Sequence, residues 1–145
     1  MMTPQQLTAE LERRRNGPHS DEHTAAAAGL AAEAIRFLNY ATGPHVRDGL
    51  VYPSTVYLIA ADLSSATRRM VQLFGQLDGW LVREAAAGML GTDDGRPAAD
   101  VAGAARIRLA DAAACAASLA DQLAKLQNGI AGLNGRGPAR TRGGA

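Results

Sequence analysis

The side chains that could do chemistry in this sequence are few and far apart. His19 and His23 stand four residues apart with Asp21 and Glu22 between them, a spacing that on one helix face brings two imidazoles to the same metal ion. Ser20 is the natural cap of that helix, however, so His19 falls before its first turn, and no third ligand stands nearby in sequence. Two solvated histidines at a helix start are the simpler explanation. His45 is alone in a loop, with no cysteine or serine beside it. Asp93-Asp94-Gly95 resembles a fragment of a calcium loop but lacks the alternating Asp spacing and the distant Glu, so it reads as a turn. The single cysteine, Cys115, excludes an intrachain disulfide. It sits in an alanine run with nothing near in sequence to lower its pKa, which predicts a half-buried thiol, not a nucleophile. Motifs of the nucleophile elbow, the phosphate loop and the dinucleotide fold are missing. The expectation is a protein that is not an enzyme and that uses no cofactor or metal.

Charge offers one further lead. Fifteen basic and 14 acidic residues leave a net charge of +1, too little to draw the whole molecule onto nucleic acid or an anionic membrane. Two local clusters remain, Arg13-Arg14-Arg15 near the start and Arg136, Arg140 and Arg142 near the end. Arginines on flexible segments grip phosphates in a salt-dependent way, so an accessory nucleic-acid binder is the alternative function. Neither cluster is interleaved with aromatics and no recognition helix is apparent. A solvated tail that keeps the protein soluble is the simpler explanation.

The elements that would position any site are helical. Of 145 residues, 31 are alanine, 16 glycine and only six aromatic, and no alternating β-branched run suggests a strand. Residues 1–19 form an N-terminal segment with a weak helix over 4–15, where Leu7 and Leu11 share a side and Glu10 is set to pair with Arg14. A first strong helix starts at Ser20 and ends before Gly43-Pro44. A second opens at Ser54 or Thr55 after the stretch carrying Tyr52 and Tyr57, where Val51 or Tyr52 is placed to staple the first turn, and continues towards Leu90. Its seam is expected at Val56, Ile59, Leu63, Ala66, Met70, Leu73, Leu77 and Trp80, with Phe74 and Leu81 on one flank. Gly75 and Gly79 inside it suggest a close approach of a neighbour. After the Gly91–Pro97 turn a third helix shows a charge-free seam at Ala102, Ala105, Leu109, Ala112, Ala116, Leu119, Leu123, Leu126, Ile130 and Leu133. The predicted fold is all-α: a long antiparallel hairpin with a shorter helix packed on its base. The bundle domain spans 20–134, and a disordered Gly/Arg tail spans 135–145.

Length then becomes an argument. The shorter helix covers roughly 33 Å of a hairpin roughly 55 Å long. Near the Gly91–Pro97 turn two helices are left without a third, carrying Leu77, Trp80, Leu81, Leu90, Val101 and Ile107. That patch is the expected contact surface for a partner, whether a second copy, another protein, or the chain's own N-terminal segment folded back. Self-association into a homodimer leads because homodimers are the commonest oligomers. A thin tip left exposed to water is the plain alternative.

The segments Ala34–Thr42, Gly49–Tyr57 and Gln72–Leu81, with the alanine-rich final helix, resemble small uncharacterised proteins of Streptomyces and related actinobacteria. The resemblance spans roughly residues 30–133, and Tyr52-Pro53 and Gln72–Leu81 are its most specific parts. It implies an actinobacterial source and a setting among integrative or plasmid-like elements, and it brings no catalytic residues. No signal peptide or membrane-spanning run is evident, so a cytoplasmic protein acting by helix-to-helix contact is the expectation.

Overall fold

A computed structural model describes residues 19–134 of the chain, together with 6, 9, 12, 13, 15 and 17. The described residues form three helices and no strand, as an all-α chain requires. Where the sequence suggested one domain over 20–134, the chain divides into two compact units, Met1–Gly49 and Leu50–Ala145. The boundary falls in the Gly- and Pro-broken stretch after residue 42, which has no helical apolar period to bind it to either side.

In the first unit, Gln6, Ala9, Glu12, Arg13 and Arg15 have helical backbone, in line with the helix expected there. Leu7, Glu10, Leu11 and Arg14 lie outside the described residues, as does the 135–145 tail. Helix α1 spans Asp21–Ala41. Ser20 is extended at φ −140° and its Oγ accepts the His23 N–H at 3.2 Å, while Asp21 and Glu22 occupy the first turn. These are the residues that satisfy free N–H groups and favour the positive end of the helix dipole. At the other end the Thr42 hydroxyl and N–H both donate to the Leu38 carbonyl, at 2.8 and 2.9 Å. The chain then bends back so closely that a Cβ on Gly49 would overlap the Ala41 carbonyl, and only glycine permits that approach. None of the α1 side chains is buried, and Phe37 is 67% exposed.

The second unit is the hairpin. Helix α2 spans Pro53–Ala86 and helix α3 Ala98–Ile130, each about 50 Å long at the α-helical rise. Pro53 occupies the first helical position, where its missing N–H costs nothing. The α2 helix stops earlier than expected, because Gly88 adopts φ 68°. Its N–H and that of Met89 close onto the Ala85 and Glu84 carbonyls at 3.2 and 3.0 Å, which is the Schellman stop that a left-handed glycine provides. The connection over 87–97 turns a second time at Gly95, φ 75°, where Asp94 accepts the Arg96 N–H at 3.2 Å.

The two helices run antiparallel, because contacts climbing α2 descend α3: Ser64 meets Ala120, and Asp78 meets Arg106. The core between them is made of small side chains. Ala60, Ser64 and Thr67 of α2 and Ala116 and Ala120 of α3 are buried towards the free end of the hairpin, with Ala120 at 0% exposure, and Ala102 is buried near the turn. The Ser64 Oγ donates to the Ala120 carbonyl at 3.0 Å, side chain to backbone across the seam. The Thr67 hydroxyl turns back on its own helix, to the Leu63 and Ser64 carbonyls at 2.9 and 3.0 Å. Every buried polar side-chain atom among the described residues is thereby satisfied, as a dry contact demands.

Candidate functional site

The seam does not run where the apolar pattern of α2 placed it. Its centre is Ala60, Ser64, Thr67, Val71, Phe74, Asp78 and Leu81, all buried or half-buried. The expected row of Ile59, Leu63, Ala66, Met70, Leu73, Leu77 and Trp80 lies one residue earlier at each step, rotated by about 100°. On α3 the expectation holds at Ala102, Ala105, Leu109, Ala112 and Ala116 and then slips. Leu123 and Ile130 are half-buried as expected, but Ala120, Ala124 and Gln127 turn inward as well, while Leu119, Leu126 and Leu133 are exposed. A straight helix drifts about 20° per heptad from a strict seven-residue repeat, so by Leu119 the drift has grown to about 50°, half the roughly 100° between neighbouring residues, and Ala120 is as well placed for the contact as Leu119.

The displaced residues assemble a second surface. In antiparallel helices, stepping one residue back from the seam leads to the same side of the hairpin on both. On α2 that step gives Ile59, Leu63, Ala66, Met70, Leu73, Leu77 and Trp80; on α3 it gives Val101, Ala104, Arg108, Asp111, Cys115, Leu119, Gln122 and Leu126. Leu77 is 44% and Trp80 48% exposed. The α2 row has no charge, and Arg108 on α3 is paired with Asp111 at 3.4 Å. Cys115 is exposed, not half-buried as expected, since its position before Ala116 puts it on this face.

The opposite side of the hairpin has another character. Stepping one residue forward from the seam gives Arg68 and Asp121, paired at 3.2 Å, while Arg106 reaches Asp78 at 2.8 Å. The hydrogen bond and the charge of Asp78 raise the pKa of the Arg106 guanidinium further above its ordinary value. Beside this pair an open groove of about 580 Å³ runs between the helices, floored by Val71, Phe74 and Leu109 and flanked by Gly75 and Gly103. The close approach expected at the α2 glycines does not occur. A Cβ on Gly75 would meet nothing within 4 Å, and one on Gly79 only the Arg83 guanidinium at 3.5 Å. Gly75 follows the seam residue Phe74, so it faces the groove and not the partner helix.

Of the six residues expected to form the contact surface, Leu77, Trp80, Leu81 and Val101 come together on or beside the apolar face. Leu90 is half-buried but lies past the end of α2, in the connection. Ile107 does not join them. It stands two residues before the seam residue Leu109, lines the groove beside Arg106, and is 64% exposed. Met70, Leu73, Leu119 and Leu126 belong to the face and were assigned to the hairpin seam instead. Their exclusion from that seam is signalled in sequence only by the small residue that follows each: Val71, Ala120 and Gln127 are smaller or more polar than a seam of large side chains would require, and only Phe74 breaks the pattern.

The remaining leads resolve locally. His19 Nε2 lies 3.2 Å from the Arg15 carbonyl oxygen, and among the described residues no three of His, Cys, Asp and Glu gather as a metal site needs. Val51 and Tyr52 stay more than half exposed and line an open hollow with Pro53, Val56, Ile130 and Leu133 at the free end of the hairpin, so the staple is loose. Arg13 and Arg15 are exposed; Arg14, Arg136, Arg140 and Arg142 lie outside the described residues. No helix of the described residues is long and apolar enough to cross a membrane. No protein family, curated protein or solved structure matches the chain.

Proposed function

We propose that this protein works by helix-to-helix contact, through the apolar face that α2 and α3 share, in a cytoplasmic setting and without catalysis. One observation carries the reading: the hairpin packs most tightly on its small residues and leaves a row of larger ones, Met70, Leu73, Leu77 and Trp80, more than two-fifths exposed. Burying alanine, serine and threonine removes little apolar area from water, whereas a Leu or Met side chain taken from half-exposed to buried stabilises a contact by about 1 kcal/mol each. A row of such residues at heptad spacing is the surface that coiled-coil-like packing uses, and its uncharged length exceeds what scattered surface leucines explain.

Two single substitutions on exposed positions test this. Leu77→Glu places a charge on the apolar face, and Ala110→Glu places one on the groove side. In extract of the producing cell, the tagged chain should sediment well above its 15.0 kDa mass. The first variant should lower that mass and the second should not. A chain that sediments alone, unmoved by either change, would overturn the reading.

A further inference from the structure

We draw no further inference here: the strongest candidate, the open groove between α2 and α3 floored by Val71, Phe74 and Leu109, carries nothing, because the pair of Arg106 with Asp78 at its rim is closed on itself and nothing in the structure shows what would fill it.

Discussion

The seam and the outer face of the hairpin are one residue apart in sequence and opposite in character. The seam is Ala, Ser and Thr at its tightest points, and one of its hydroxyls bonds the backbone of the facing helix. The outer face is Ile, Leu, Met and Trp, close to half exposed along most of its length. Small residues let helix axes approach, so the seam determines how the two helices lie. The larger residues hold most of the apolar area that remains to be buried. The difference teaches that the residues that set how the helices lie and the larger apolar residues fall on different rows of the same helices.

The strongest way to break this comparison is to enlarge the seam. Ala120 is completely buried and its carbonyl accepts the Ser64 hydroxyl, so Ala120→Leu has no space to enter. Overpacking of this kind typically costs about 1–3 kcal/mol, and thermal unfolding should show it as a clear fall in Tm. A fall no larger than that of an exposed control such as Ala114→Leu would mean that the helices are not spaced by their small residues.

A second test moves in the stabilising direction. Gly75 is helical and a Cβ there meets nothing within 4 Å, so Gly75→Ala should raise stability by about 0.8–1 kcal/mol through helix propensity alone. Denaturant unfolding at equal slope measures it. A loss instead would show that a neighbour presses on Gly75 and that the groove side is closed in solution.

These positions show how much of the molecule was legible in the sequence. The cap at Ser20, the proline at the start of α2, the turn near Gly95 and the helix period all follow from local backbone chemistry, and the all-α hairpin follows from them. The seam of α2 was missed by one residue because hydrophobic patterning weights large side chains, while this contact is built where the chain is smallest. On α3 the pattern agreed through Ala116, where alanines occupied both readings, and parted at the choice between Leu119 and Ala120. The exposed apolar row is less legible for the same reason: the apolar period places Met70, Leu73 and Leu119 in the seam, and in the structure they are exposed beside Leu77 and Trp80. Gly88 carried a stop signal for α2 that the run of Ala and Leu around it obscured.

The smallest effect is expected on the ion-pair side. Asp78 falls in seam register, yet its carboxylate turns outward to Arg106 at 2.8 Å, and both side chains remain partly exposed. Exposed pairs of this kind are largely offset by solvation and side-chain entropy. The raised pKa of Arg106 fixes the sign of its pH effect. Its contribution is present below the unfolded pKa and is lost only as pH rises through the folded one, far above neutrality. Asp78→Asn keeps the shape and removes the charge, so at physiological salt Tm should not move measurably, and only low salt should reveal a small fall. A large fall at ordinary salt would make the charged side a determinant of the hairpin in its own right.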